Sequence, residues 1–291
     1  MRKILFVVNP VAGKGNGKIL IPIIKERFAD YDYDIIISTK KSIITELVEK
    51  KINEKNYSDI IAAGGDGTLT EVINGVNGHN IAIGLLPIGS GNDFAKTLNI
   101  GNNIDNAIDI IKGGIHRKVY TCSINDITFI NVVGIGIDAE ILNYKDNSKI
   151  LKGKMNYLVS TLRGIINYSP TKKDIYIDDK LISKNTLFIA IGNGKYIGSG
   201  MKITPFANTE SKDFNICTIG NLKKHILIKS LTKLYKGLHG EVDGVDMYFG
   251  KDIKIEFESE IPVDVDGSLM KFKKVHLKKN DTMINFLVKE K

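Results

Sequence analysis

The segment Gly64-Gly65-Asp66-Gly67-Thr68 carries the strongest chemical signal in the chain. It closes the apolar run Ile60-Ile61-Ala62-Ala63 and opens a stretch, Thr68 to Val76, with apolar residues at helical spacing. Glycines let a backbone turn sharply and approach a ligand closely. The N–H groups at the start of a helix, helped by its dipole, attract phosphate. Thr68 and Glu71 stand at the spacing of a capping box, which sets the predicted helix start at Thr68. A carboxylate beside phosphates repels them unless a cation intervenes, so Asp66 is a candidate Mg²⁺ ligand or proton-transfer group. The plainer alternative is a turn aspartate that accepts backbone N–H groups.

Two further glycine-rich loops occupy comparable places. Val8-Asn9-Pro10-Val11-Ala12-Gly13-Lys14-Gly15-Asn16-Gly17-Lys18 follows the first apolar run, and Leu86-Pro87-Ile88-Gly89-Ser90-Gly91-Asn92-Asp93-Phe94 follows a later one. Neither has the spacing of a Walker loop or of GxGxxG. Doubly wound folds bind ligands at the carboxyl ends of their strands, so three such turns predict a phosphate or nucleotide site on one sheet edge. Lys14 and Lys18 offer positive charge there, or face solvent.

The elements that must position these loops follow from periodicity. Ile4 to Val8, Ile35 to Ile37, Ile60 to Ala63 and Ile81 to Leu86 read as strands, and Lys18 to Phe28, Ile43 to Lys55, Thr68 to Val76 and Asn92 to Leu98 read as helices. That alternation predicts a Rossmann-like, doubly wound α/β domain over residues 1–115. After Gly113-Gly114 the pattern becomes short β-rich runs: His116 to Asn125, Thr128 to Gly134, Asp174 to Asp178, Leu181 to Gly192, Phe214 to Gly220, Ile253 to Glu258, Ile261 to Val265 and Lys273 to Leu277. These predict a β-sandwich over 116–291, with residues 280–291 able to pack back onto the first domain. One helix is expected across Leu222 to Leu238 and another near Lys149 to Ile166.

In these residues the chain resembles the diacylglycerol-kinase catalytic family, which includes bacterial lipid kinases and sphingosine and ceramide kinases. The matching residues are Asn9-Pro10 with Gly13, the Gly64 to Thr68 run, Glu71 with Asn74-Gly75, and Pro87 to Phe94. Further along they are Asn131 with Gly134 and Gly136, Gly192-Asn193-Gly194, Gly198 to Pro205, and Pro262 with Asp266-Gly267. The resemblance implies ATP and Mg²⁺ in the first domain and a lipid pocket in the second, with transfer to a lipid hydroxyl in the cleft between them, diacylglycerol by default, in phospholipid metabolism. It implies nucleotide contacts from Asn9, Pro10, Gly13, Lys14, Thr39 and Asn92. It further implies phosphate contacts from Gly64, Gly65, Gly67, Thr68, Glu71 and Ser90, and Mg²⁺ beside Asp66.

Two departures from the family pattern bear on chemistry. The family shows Asp-Gly-Glu, with the Glu as proton acceptor, where this chain has Asp266-Gly267-Ser268. Asp266 or Asp264 is the substitute base if either reaches the acceptor hydroxyl, and otherwise a turn aspartate. The family's structural magnesium motif, an Asp-Gly pair, appears here as Ser211-Lys212, leaving Asp213 as the candidate ligand. Two readings compete with the lipid kinase: an NAD kinase-like enzyme, and a catalytically inactive nucleotide- or lipid-binding regulator.

Composition narrows the remaining classes. The 291 residues are 43% hydrophobic and 25% charged, which is globular usage and enough chain for two cores. No stretch approaches the roughly 20 apolar residues of a membrane span, and the N-terminus lacks a signal-peptide core, so a cytoplasmic protein, peripheral at most, is expected. The net charge of +8 favours anionic partners. Basic clusters at Lys145 to Lys154 with Tyr144 and Tyr157, and at Lys271 to Lys279, offer contacts to lipid headgroups. No nucleic-acid module is recognisable. Cys122 and Cys217 read as buried thiols, and His79, His116, His225, His239 and His276 have no metal-ligand spacing. A homodimer is compatible with all of this.

Overall fold

The computed structural model describes residues 2–40, 42–76, 78–137, 141, 164 and 167–290. They form two compact units, one running to Val119 and regaining the chain from Thr282, the other spanning Tyr120–Asp281. The change of unit falls four residues beyond the expected boundary because strand β5 (His116–Ile124) runs through it unbroken. The Gly113-Gly114 pair marks a helix end instead.

In the first unit β1 (Lys3–Val8), β2 (Asp32–Ile37), β3 (Asp59–Gly64) and β4 (Ala82–Pro87) are parallel in the order β2-β1-β3-β4. The end of β13 (Ser268–Leu287) joins beside β4, with Phe286 opposite Ile83. Every residue of β3 and β4 is buried, as are Ile4 to Val8. Neighbouring side chains on a strand point to opposite faces, so burial of all of them means that both faces are covered. The helices are α1 (Ala12–Gly15), α2 (Leu20–Arg27), α3 (Ile44–Glu54), α4 (Asp66–Val76), α5 (Asp93–Thr97) and α6 (Ile104–Gly113). Gly75 lets α4 approach α3, since a Cβ there would stand 2.7 Å from Cβ of Val48. The sequence reading omits α6. Its signals are present nonetheless: Asn103 accepts the N–H of Asn106 at the N-cap, and Gly114 ends the helix at a φ of 66°.

The second unit is antiparallel. It contains β6 (Ile127–Phe129), β7 (Val132–Gly136), β8 (Thr171–Ile177), β9 (Lys180–Gly192), β10 (Phe214–Gly220), β11 (Val245–Gly250) and β12 (Asp252–Val265), with most of β5 and β13. Alternation along β9 and β10 builds two cores. Ile189, Ile191, Phe214 and Ile216 face the core shared with β5 to β8, β12 and β13. Phe188, Ala190 and Cys217 face the other, which α7 (Lys224–Lys236) covers with Leu227, Leu231 and Leu234. The two expected strands around 253–265 are one strand with a bulge between Glu256 and Ile261, and β11 is an edge strand that the sequence reading missed. The predicted helix near Lys149 to Ile166 and the basic cluster at Lys145 to Lys154 lie outside the described residues. Both cysteines are buried, and burial pushes both thiols upward.

Phe286 is fully buried and its ring meets Phe94 edge-on, centroids 5.4 Å apart, so the chain's last strand supports the loop after β4. Phe286→Ala should destabilise the first unit by about 3–5 kcal/mol in urea unfolding, the usual cost of truncating a buried Phe.

Candidate functional site

The three glycine-rich loops meet at one edge of the parallel sheet. The backbones of the second and third cross at Gly65 and Gly89, where a Cβ on Gly89 would stand 2.4 Å from Cα of Gly65. The Ile88 and Gly89 N–H groups both donate to the Gly64 carbonyl, at 3.0 and 3.2 Å. The first loop closes over the third, because a Cβ on Gly13 would lie 2.2 Å from the Ile88 carbonyl oxygen. Gly13 also has a φ of 59°, so glycine is required there twice over. Asn9 ties the first loop to the second: its Nδ2 donates to Oγ1 of Thr68 at 3.0 Å, and its own N–H bonds the Ala63 carbonyl.

Asp66 joins the second loop to the third. Its carboxylate accepts the N–H groups of Asp93 and Phe94, each at 3.2 Å, at the entry to α5. Burial pushes this carboxyl upward and nearby Asp93 adds to that, while the two N–H groups and Lys96 pull it down. Lys96 in turn holds the same loop, donating to the Gly91 carbonyl at 2.7 Å and to Asp93 at 2.8 Å. The sequence reading missed this lysine, whose only signal was its place three residues after Asp93.

The remaining predicted residues fall as follows. Pro10 lies in the turn after Asn9, and Thr39 is exposed just past β2, where Ser38 N–H bonds the Val8 carbonyl. Ser90 is exposed at the crown of the third loop, and Asn92 is buried at a φ of 52° with its Nδ2 on Asn102. Gly65 and Gly67 flank the start of α4, whose first N–H groups have no helical carbonyl to bond. The capping-box expectation is corrected. Thr68 lies inside α4, and Glu71 reaches sideways to accept the Ile44 N–H at 2.9 Å, capping α3. Glu71 is thus a helix bracket, not part of the loop cradle. Lys18 is exposed, and the Lys14 side chain lies outside the described residues.

In the second unit Asp266 and Gly267 have φ of 50° and 84°, the all-positive pair of a two-residue hairpin turn between β12 and β13. The Asp266 carboxylate accepts three N–H groups, from Ile130 at 2.8 Å and from Asn131 and Val132 at 3.0 Å. Asn131 extends this stitching, since its carbonyl takes the N–H groups of Asn193 and Gly194. A carboxylate so occupied organises backbone, as the turn-aspartate alternative expected. Asp264 is 1% exposed and accepts the Gly267 N–H at 2.7 Å, and Ser268 is exposed at the head of β13.

The candidate metal ligand Asp213 is not arranged for one. The cation on the loop before it is Lys279, whose Nζ donates to the carbonyls of Asn208 at 3.0 Å and Ser211 at 2.7 Å. Lys279 is 9% exposed, and its ammonium lies 5.4 Å from the Phe214 ring centroid. Backbone carbonyls are magnesium-type ligands, and here they already hold a positive charge. The described residues contain no cluster of three acidic, His or Cys side chains that could hold a metal. A structural Mg²⁺ therefore does not fit this loop.

Behind α7 lies an apolar cavity lined by Leu187, Met201, Leu227, Leu231 and Leu234, with His239. The imidazole is buried, its Nε2 faces the Ile203 carbonyl at 2.9 Å, and burial pushes its pKa down. The sequence reading set this histidine aside.

Residues 3–124 match the diacylglycerol kinase catalytic domain family, and residues 131–278 match the YegS C-terminal NAD kinase beta sandwich-like domain. Over 232 residues, 76% of this chain and 75% of the relative, the sequence is 34% identical to a Staphylococcus aureus protein named "Putative lipid kinase" in strain MSSA476, and equally to one in strain MW2. The chain belongs to the diacylglycerol kinase catalytic family. A solved structure of a "putative diacylglycerol kinase" from Bacillus anthracis superposes with a TM-score of 0.83 at 26% identity, covering 99% of this chain and 97% of that one. A second from the same organism, at 24% identity and a TM-score of 0.82, shares the fold. The two-domain α/β plus β architecture is thus the family's.

Removing the Asp66 clamp should free the third loop. Asp66→Ala leaves two inward N–H groups without an acceptor, an effect of about 1–3 kcal/mol, and should speed hydrogen exchange at Asp93 and Phe94 ahead of the β3 amides. Lys279 makes a separate prediction. Without nucleotide, the melting temperature should be the same in EDTA as in Mg²⁺, while Lys279→Met, which leaves two carbonyls without a donor, should lose about 1–3 kcal/mol.

Proposed function

We propose that this chain transfers the γ-phosphoryl group of ATP to a lipid hydroxyl, with diacylglycerol the default acceptor. The observation that carries the proposal is the meeting of three loops at the strand tips, close enough that a Cβ at Gly13 or Gly89 would strike the backbone of a neighbouring loop. Such a cradle aims backbone N–H groups and a helix start at phosphate oxygens. Asn9, Pro10 and Thr39 border it on the nucleotide side. Gly64, Gly65, Gly67 and Thr68 form its floor, and Ser90 and Asn92 its rim.

Phosphoryl transfer asks a protein mainly for positioning and charge neutralisation. Asp66 holds the third loop against the second and keeps lone pairs beyond the two N–H groups it accepts, so it is the residue that would hold a Mg²⁺ accompanying the nucleotide. Bound there, the ion would neutralise charge developing on the β- and γ-phosphates. The acceptor's apolar part suits the cavity behind α7 by chemistry, since aliphatic side chains line it. Asp264 or Asp266, both beside position 268 in the chain, would serve as the base for the acceptor hydroxyl.

The inactive-regulator reading has one observation in its favour, the capture of Asp266 by three N–H groups beside a serine at 268. A single assay separates the readings: labelled ATP and Mg²⁺ with diacylglycerol, other lipid alcohols and NAD. Label in diacylglycerol is expected, lost by about 100-fold or more in Asp66→Ala. Label in NAD alone would replace the lipid reading, and ATP binding without any labelled product would favour the regulator. Ser268→Glu should raise turnover if the missing base limits the rate.

A further inference from the structure

Beyond the phosphate cradle, the outer surface of α7 combines charge and exposed apolar groups in a way the chemistry so far does not use. Its inward stripe, Leu227, Leu231 and Leu234, roofs the apolar cavity. Its outer side carries Lys224, Lys229, Lys233 and Lys236, with Lys223 at the N-cap, and no acidic residue occurs from 223 to 236. Lys233 meets Glu241 at 3.1 Å, so its charge is matched locally. Between the lysines and the roof stand Ile228 and Tyr235, 43% and 41% exposed, with Leu238 just beyond the helix at 46%.

The same face bears an aromatic pair. Val245 and Met247 of β11 pack in the core under α7, so two-residue alternation turns Phe249 to that side as well. Phe249 and Phe206 are 56% and 61% exposed, with ring centroids 6.4 Å apart. Phe206 follows Pro205, which lies against the C-terminal end of α7: a Cβ on Gly237 would stand 3.1 Å from Cβ of Pro205, and Lys202 N–H donates to the Leu234 carbonyl. Five of the twelve large apolar side chains exposed among the described residues therefore gather on this face.

Single exposed apolar residues need no explanation, but a cluster rimmed by cations does. An acidic protein surface would satisfy the lysines and leave two phenylalanines against polar groups. The headgroup layer of an anionic bilayer offers negative charge beside hydrocarbon, and amphipathic basic helices with aromatic neighbours lie in that layer. We propose that the second unit docks on an anionic phospholipid bilayer through the outer face of α7 and the Phe206–Phe249 pair. Docked this way, the helix is the wall between the bilayer and the apolar cavity. Use of that cavity by a substrate chain rests on the lipid-kinase reading, whereas the docking does not.

The test uses the full chain and sedimentation with phosphatidylcholine vesicles, made with or without phosphatidylglycerol. Binding is expected only with phosphatidylglycerol, and raised salt should weaken it. Reversing Lys224, Lys229 and Lys236 to Glu should cut vesicle affinity by about 100-fold or more, since each lysine near an anionic surface contributes about fivefold. Phe206→Ser with Phe249→Ser should weaken binding while leaving the melting temperature in place. The matched control reverses Lys271, Lys273 and Lys274, the exposed basic cluster of β13, and should bind like the parent. Equal loss in this control, no loss in the α7 variant, or no vesicle binding by the parent would each overturn the proposal. Vesicle binding without phosphorylation of any lipid would leave docking intact and sink the kinase reading. Turnover on detergent-dispersed acceptor without vesicle binding would do the reverse.

Discussion

The loop edge of the parallel sheet depends on a backbone approach that side chains would forbid. Gly65 and Gly89 let the main chains of two loops cross with no room for a side chain between them, and Gly13 lays a third loop on the Ile88 carbonyl. Close approach alone would leave polar groups facing each other without partners, which a buried site does not tolerate. Asp66 solves this for the second and third loops by taking the N–H groups that open α5, and Asn9 solves it for the first by bonding Thr68. The three loops are therefore held together by their own backbone and side-chain contacts.

The second unit uses charged groups in the same structural manner. Asp266 gathers three N–H groups from the segment that leads into β7, and Lys279 gathers two carbonyls from the loop before β10. One is an anion bound by donors and the other a cation bound by acceptors. Each sits where motif reading predicted chemistry or a metal. Isolated charges are expensive to bury, so their position reports a need of the backbone around them. A lysine covalently attached to β13 holds its loop at any metal concentration, which suits a chain that lacks the family's Asp-Gly pair.

Much of the fold was legible because its signals are local. Continuous apolar runs leading into glycine-rich loops gave β1, β3 and β4, and alternation gave most strands of the second unit. What escaped depended on distant partners. Helix α6 has good caps, but its closing Gly113-Gly114 also reads as a linker. The β11 edge strand carries Asp246 and Gly250, weak strand formers that make sense only beside β10. In the site, the meeting of the loops was readable from their equivalent places after strands. Glu71's reach to α3, Lys96's hold on the third loop and His239's place in the apolar cavity were not, since each is fixed by an element far away or by burial that no motif encodes.

The dipeptide Asp-Gly shows why the motif needs its surroundings. At 66–67 it follows a parallel strand and opens a helix, so the carboxylate projects across the sheet edge to the neighbouring loop. At 266–267 it joins two antiparallel strands, both residues take positive φ, and the carboxylate folds back onto amides of an adjoining segment. In neither place is the carboxylate free of backbone duty. Loss of activity on replacing Asp66 would thus not identify it as a metal ligand, because the same change releases the loop that bears Ser90 and Asn92. The two roles separate by geometry: a metal role depends on charge and fails in Asp66→Asn under every condition, whereas a loop role depends on acceptors and improves wherever the third loop is held by other means, such as Lys96 and the Phe94–Phe286 contact.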